Sequence, residues 1–110
     1  AQDYQTCQQA LQTLLQNYAQ REPIRRKAQD TEKKIEMLLN DLQQGLPAKF
    51  QSALLEMCQK VLQGDLSAAM QVYHRMIGAG NAETIKLLVG VQRILAENAK
   101  MQGLNPAAMN

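Results

Sequence analysis

The stretch from residue 85 to residue 97 constrains the fold of this chain more than any other. Seven of its thirteen residues are large aliphatics, and they do not alternate with polar residues as in a half-buried strand. On a helix, one apolar stripe is formed by Leu87, Val91, Ile94 and Leu95. Three further side chains widen the stripe to most of the circumference: Ile85, Leu88 and Val89. Because a helix that is apolar nearly all round has to be buried, we expect a core helix here.

A glycine, Gly90, interrupts this apolar stretch. Glycine in a helix interior costs about 1 kcal/mol relative to alanine, so a compensating interaction is expected. A neighbouring helix can approach the backbone closely at a position that lacks a Cβ atom. The alternative interpretation is a plain core helix with a tolerated glycine. We predict four packing positions on this helix: Leu87, Gly90, Val91 and Ile94.

The other apolar residues recur at three- and four-residue steps and predict four more helices. We expect them over residues 3–20, 23–44, 48–63 and 66–77. The fifth helix contains the stretch described above and is expected to run to about Met101.

Capping and turn-forming residues separate these helices. Pro23 is expected in the first turn of the second helix, where its missing N–H is tolerated, and Gly45 is expected to end that helix. Asp65 and Asn81 are the predicted N-caps of the fourth and fifth helices. The Gly-Ala-Gly segment at 78–80 is expected to break the chain between those two helices.

The second helix has the sharpest periodicity in the sequence. Its apolar residues alternate at spacings of four and three: Ile24, Ala28, Thr31, Ile35, Leu38 and Leu42. Three heptads of this kind are compatible with a short coiled coil. The other predicted helices also need an apolar partner, so we favour packing within the chain.

These elements predict an all-α fold. A chain of 110 residues is long enough for one domain with its own core, and its aromatic content of 4% requires that core to be aliphatic. Because the five predicted helices are joined by short connections, we expect a single-domain up-and-down bundle. The bundle is predicted to span residues 1–103, followed by a flexible C-terminal tail over residues 104–110.

Two cysteines, Cys7 and Cys58, fall near apolar positions of predicted helices and fit no metal-ligand spacing. We expect packed, reduced thiols in a cytosolic or nuclear protein, with a single disulfide as the alternative. No run of about 18 apolar residues is present, so no transmembrane segment is predicted. The polar, Gln-rich N-terminus does not have the pattern of a signal peptide.

Candidate catalytic groups are few. The single histidine, His74, has no cysteine or carboxylate three or four residues away that would complete a zinc site. Nucleophilic catalysis would require Cys7 or Cys58 beside His74 in the fold. The segment 78–80 lacks the lysine and the preceding strand of a phosphate-binding loop. We therefore predict a non-enzyme without metal, cofactor or small-molecule substrate.

The basic residues are unevenly distributed. The net charge of +2 is too near neutral to demand nucleic acid or an anionic membrane as a partner, but half of the basic residues lie between positions 21 and 34. On the second helix Arg26 and Lys33 lie one heptad apart. Lys27 and Lys34 repeat that spacing, so these side chains form a surface band.

Three interpretations of this basic band stay open. Carboxylates interleave with the band and neutralise part of it, as on an ordinary solvated helix face. The second interpretation is a docking patch for an acidic partner, and the third is a weak phosphate-binding patch. RNA binding normally adds aromatic side chains for stacking, and this chain has few. Nucleic acid is therefore the less favoured partner.

Three segments have an order and spacing similar to those of a known helical domain. They are DTEKKIEML at 30–38, the helical region 54–77 around QGDLSAA at 63–69, and VGVQRILAE at 89–97. Over about residues 5–100 the chain resembles the domain shared by two kinds of protein. One is the larger subunit of the COPII outer-coat cage, where the domain is C-terminal, and the other is steroid receptor RNA activator protein. The Gly-Val-x-Arg core of the last segment is the most specific part.

The resemblance implies a small helical bundle without catalytic residues. It assigns Gly90 and Val91 to packing, with the basic side chain of Arg93 projecting beside them. The adjacent lysines 33 and 34 match a basic pair of the family. The docking residues that we predict are therefore Arg25, Arg26, Lys33, Lys34 and Arg93.

The two branches of the family imply different functions. In the coat branch, the domain helps join the outer cage to the inner coat during vesicle budding from the endoplasmic reticulum. That branch implies inner-coat subunits as partners and a cytoplasmic location, peripheral on exit-site membranes and COPII vesicles. The other branch implies a nuclear co-regulator linked to RNA. Residues 55–59 and 64–69 are more similar to the coat branch, which is the branch that we expect, whereas residues 89–97 are equally similar to both.

Overall fold

The computed structural model describes residues 2–106, of which five α-helices joined by connections of two or three residues make up residues 2–101. They are α1 (Gln2–Arg21), α2 (Arg25–Gln44), α3 (Ala48–Leu62), α4 (Leu66–Ala79) and α5 (Ala82–Met101). Residues 2–106 contain no strand. The predicted all-α bundle of about five helices is confirmed.

Three predicted helix boundaries are confirmed. The Asp65 carboxylate accepts a hydrogen bond from the Ala68 amide at 3.0 Å and caps α4. Asn81 and Thr84 form a reciprocal capping box at the start of α5, with N–H to side-chain oxygen distances of 2.9 and 2.8 Å. Gly45, with a φ of 113°, ends α2.

The predicted start of α2 is wrong, because Pro23 lies in the connection and not in the first helical turn. The helix begins two residues later, at Arg25. Ile24 is extended, and its amide donates to the Glu22 carboxylate at 3.2 Å. This bond satisfies the amide outside the helix. Ile24, predicted in the apolar stripe of α2, is consequently 58% exposed.

The predicted break at 78–80 is also only partly right. Helix α4 continues through Gly78 and ends at Ala79, and the chain turns away at Gly80, which is extended. A glycine costs a helix about 1 kcal/mol of propensity but removes none of its backbone hydrogen bonds. One glycine therefore does not end α4.

Helix α5 ends in a Schellman motif around Gly103, whose φ is 76°. The Leu104 amide donates to the Ala99 carbonyl at 2.8 Å, and the Gly103 amide donates to the Lys100 carbonyl at 3.1 Å. The Leu104 side chain is partly buried against the core. The end of the predicted tail, residues 107–110, lies outside the described residues.

The helix pairs with the most extensive contacts are α3 with α4 and α2 with α5, while α1 contacts α2, α3 and α5. Between them lies an aliphatic core that contains one Phe. Its largest fully buried side chains include Leu11, Ile35, Leu38, Phe50, Leu54, Met57, Met76, Val91, Ile94 and Leu95. Helix α2 packs on α5 although α3 follows it in sequence, and this pairing positions the candidate site.

Helix α5 is buried on one side only. Leu87, Val91 and Ile94 are buried in the core, but Ile85 and Val89 are 42% and 39% exposed. The expectation of a helix buried nearly all round is therefore wrong. Helices α1, α2 and α4 cover only part of its circumference, and no other helix of the described chain contacts the remainder.

Gly90 is the point of closest approach between α5 and α2. A Cβ atom at Gly90 would lie 2.9 Å from the Lys34 Cβ atom and 3.4 Å from the Thr31 carbonyl oxygen. The first distance is well inside van der Waals contact. The glycine thus allows close packing of α2, which is the first of the two interpretations offered by the sequence.

Candidate interaction surface

The outer faces of α2 and α5 form a continuous basic and apolar surface. The two helices are antiparallel, because Asp41 of α2 lines a cleft with Glu83 at the start of α5, while Lys27 lines one with Lys100 at its end. We define the α2–α5 surface by nine residues: Arg26, Asp30, Lys33, Lys34, Met37, Ile85, Lys86, Val89 and Arg93.

Helical periodicity explains why these side chains share one surface. Arg93 contacts Asp30, and Gly90 lies against Lys34, so both contacts fix the register of the two helices. Residues 26, 33 and 37 lie within the same face of α2 at steps of seven and four. Residues 86, 89 and 93 likewise lie within one face of α5, at steps of three and four.

Asp30 of α2 forms two ion pairs, one within its own helix and one across to α5. Its carboxylate accepts hydrogen bonds from the Arg93 guanidinium at 2.8 Å and from the Lys34 ammonium at 2.8 Å. Both hydrogen bonds lower the pKa of the Asp30 carboxyl group, and the one from Lys34 has the larger effect. The two cations are thereby held at fixed positions beside the Gly90 contact.

A buried polar chain continues from this ion-pair cluster into the bundle. The Arg93 guanidinium also donates to the Thr31 hydroxyl at 3.1 Å, and that oxygen lies 3.1 Å from the Tyr18 hydroxyl. Tyr18 donates to Glu22 at 3.3 Å, and Lys27 pairs with the same carboxylate at 3.2 Å. Burial raises the pKa of the Tyr18 hydroxyl, which is therefore the neutral donor in this chain.

Glu22 is an ionised acceptor at the end of that chain. The amide of Ile24 and the ammonium of Lys27 hydrogen bond to it, and both lower the pKa of its carboxyl group. Among residues 2–106, no buried side-chain nitrogen or oxygen lacks a hydrogen-bond partner. The buried polar side chains on the core side of the α2–α5 surface therefore all have hydrogen-bond partners.

The structure divides the predicted docking residues into three groups. Lys34 and Arg93 are half-buried and both pair with Asp30, and the Arg93 pair joins α5 to α2. Arg26 and Lys33 are exposed and pair with no carboxylate of the described chain. Arg25 is also exposed, but it lies nine residues before Lys34 and therefore on the opposite side of α2, off this surface.

Sequence reasoning missed the apolar part and one cation of the surface. Met37 is 46% exposed, and Ile85 and Val89 were assigned to the core. Helical geometry already places Val89 and Val91 on opposite sides of Gly90, each about 100° away, so the sequence indicates that they do not share one environment. Which of the two faces solvent depends on where α2 packs. Lys86, exposed on α5, completes the basic residues.

The two cysteines lie together in the core. Cys7 of α1 and Cys58 of α3 are free, buried thiols whose side chains are hydrogen bonded to each other. That hydrogen bond and burial raise the pKa of the Cys58 thiol. Both thiols are packed, as the sequence predicts, and Cys58 is held in its protonated form.

The remaining candidates for chemistry lie apart from this pair. His74 is exposed on α4, with its ring edge-on to Tyr73 at a centroid distance of 5.9 Å. Within residues 2–106, no group of three or more His, Cys, Asp or Glu side chains is arranged to hold a metal ion. The α2–α5 surface is consequently the candidate site with the most distinctive chemistry.

Comparison of the chain with protein-family models, curated proteins and solved structures finds no significant match. None of the five described helices is both long enough and apolar enough to cross a membrane.

Proposed function

We propose that this chain is a non-catalytic protein-interaction module of the COPII outer coat. In this proposal it helps link the cage to the inner coat during transport from the endoplasmic reticulum to the Golgi. It acts at the cytoplasmic side of exit-site membranes and on COPII vesicles, and its partners are inner-coat subunits. The proposal rests on the resemblance of three segments to the coat domain, together with one structural observation.

That observation is the α2–α5 surface. Two of the three resembling segments, 30–38 and 89–97, pack against each other at the Gly90 contact. The nine residues of the α2–α5 surface, which include Arg26, Ile85 and Lys86 outside those segments, comprise five basic residues and one acidic residue, a net charge of +4. A surface with excess charge and exposed apolar side chains is suited to binding a protein partner.

Binding to a purified inner-coat complex tests this proposal. The full chain, labelled with a fluorophore, is titrated with the inner-coat heterodimer and followed by anisotropy. Saturable binding that weakens with salt is expected, because exposed charges contribute. A second readout is vesicle budding from a reconstituted system in which the domain has been deleted from its parent protein. Absence of binding together with normal budding would contradict the coat function.

A nuclear co-regulator linked to RNA is the second candidate. The exposed and unpaired side chains of Arg26 and Lys33 favour it, because such cations contact phosphates. Against it, none of the four Tyr and Phe side chains is fully exposed, and the exposed ring of His74 lies on α4 and not on α2 or α5. RNA binding that falls steeply with salt, and that the double variant Arg26→Glu with Lys33→Glu abolishes, would support this candidate. Absence of binding at low salt would remove it.

A further inference from the structure

We propose that the α2–α5 surface binds an acidic amphipathic helix of a partner protein. The apolar face of that helix lies on Met37, Ile85 and Val89, and its carboxylates pair with Arg26, Lys33 and Lys86. This inference rests on the proposed function, because it names the binding surface and the chemistry of the partner segment.

The exposed apolar side chains lie at the same level along the two helices. Ile85 and Val89 lie one helical turn apart on the uncovered side of α5. The antiparallel register that brings Lys34 to Gly90 brings the next turn of α2, with Met37, to the turn between those residues. Methionine is adaptable, and at an exposed position it suits a contact with another apolar side chain.

The charges around this contact select an acidic partner. Lys34, in the same helix as Asp30, and Arg93, across the interface, already share the single Asp30 carboxylate. Lys33 and Lys86 are exposed and form no ion pair within the described chain, so they are available to carboxylates of a partner. Like charges on a basic partner would be repelled from the same surface.

The positive charge ends abruptly along the two helices. Beyond Met37 the cleft between α2 and α5 is lined by Asp41 and Glu83. The basic residues of this surface on α2 run from Arg26 to Lys34, and with Met37 the surface spans residues 26–37, about 17 Å along a helix. This length equals about three turns of a partner helix. We therefore expect the acidic residues of the partner helix to lie within about three turns.

Recognition has to use side chains, and this favours a helical partner. The backbone N–H and C=O groups in the interiors of α2 and α5 are bonded within each helix, so an extended peptide has no free edge to pair with. An amphipathic helix can place its apolar residues at three- and four-residue steps along the groove between two helices. An RNA would need exposed aromatic side chains to stack on, and none of the nine residues of this surface is aromatic.

A synthetic peptide tests the partner chemistry directly. The probe is a helix-forming peptide of about 18 residues, with Leu at three- and four-residue steps and Glu on both flanks. The full chain, labelled with ¹⁵N, is titrated with this peptide and with a scrambled peptide of identical composition. We expect amide shifts concentrated in residues 26–37 and 85–93 for the first peptide only. Equal binding of the scrambled peptide, or shifts centred on α3 and α4, would overturn the inference.

Matched variants separate this surface from general charge and apolar effects. Lys33→Glu with Lys86→Glu, and separately Val89→Asp, are expected to weaken peptide binding about tenfold or more. The controls, Lys49→Glu and Ile77→Asp, make the same changes at exposed positions of α3 and α4 and are expected to leave binding unchanged. Circular dichroism melting of every variant verifies that it is folded. Unchanged binding in folded Val89→Asp would contradict the inference.

The same variants distinguish this inference from the proposed function. If the inner-coat heterodimer binds Lys33→Glu with Lys86→Glu as tightly as it binds the unaltered chain, the surface is wrong and the coat function stands. If the peptide binds as described but the heterodimer does not, the surface is right and the coat function is wrong. Binding of poly-U RNA or of phosphatidylserine vesicles, without binding of the peptide, would overturn the partner chemistry.

Discussion

Two glycines in helices of this bundle have opposite roles at the scale of single residues. Gly90 lies against the backbone of α2, whereas a Cβ atom added at Gly78 would meet nothing within 4 Å. The sequence could not separate them, because helix propensity treats both alike. The difference depends on which helix lies opposite each glycine.

Gly90→Ala should destabilise the bundle and Gly78→Ala should stabilise it. Each change gains up to about 1 kcal/mol of helix propensity. At position 90 the added methyl group meets the Lys34 Cβ atom, which cannot move without its backbone. Overpacking of this kind costs about 1–3 kcal/mol, so we expect a lower melting temperature. Urea denaturation measures both variants, and a Gly90→Ala protein as stable as Gly78→Ala would contradict the close packing.

The Asp30 carboxylate makes the stability of the bundle depend on pH in the acid range. Its two cations lower the pKa of the carboxyl group below the ordinary value of 3.8. The stabilisation is therefore fully present above pH 3.8 and is lost as the pH falls through the lower folded-state value. Asp30→Asn should remove this part of the pH dependence and flatten the fall in unfolding free energy below pH 3.8. Denaturation titrations from pH 7 to pH 2 measure the difference, and an unchanged profile would contradict the ion-pair geometry.

At the scale of helices, the sequence predicted where the helices and their caps lie better than which of their residues are exposed. The three- and four-residue spacings placed all five helices, because the apolar residues that face a core must recur with the helical period. The same spacings assigned Ile85 and Val89 to the core of α5. Their exposure depends on how many neighbours α5 has, which periodicity along one helix does not specify.

The capping box of α5 gives a prediction at this scale. Asn81→Ala removes the side-chain acceptor of the Thr84 amide and should cost about 1 kcal/mol. Asn81→Asp retains an acceptor and adds a negative charge at the helix N-terminus, which the helix dipole favours, so it should be close to the unaltered protein. Thermal melting compares the two variants, and equal losses would show that the cap contributes little.

At the scale of the whole molecule, the pairing of α2 with α5 determines the candidate site. Connections of two or three residues predict a bundle but do not specify which non-sequential helices meet. The Arg93–Asp30 contact joins residues 63 positions apart, and no local pattern identifies such a pair. The sequence therefore indicated the basic residues of α2, whereas the apolar residues and Lys86 required the structure.

The central claim is that this bundle binds the inner coat through the α2–α5 surface. Titration of the ¹⁵N-labelled chain with the unlabelled inner-coat heterodimer tests it most directly, because loss of amide signals maps the contact residue by residue. We predict the strongest losses in residues 26–37 and 85–93, with α3 and α4 the least affected. Losses centred on α3 and α4, or no change at any amide, would contradict the claim.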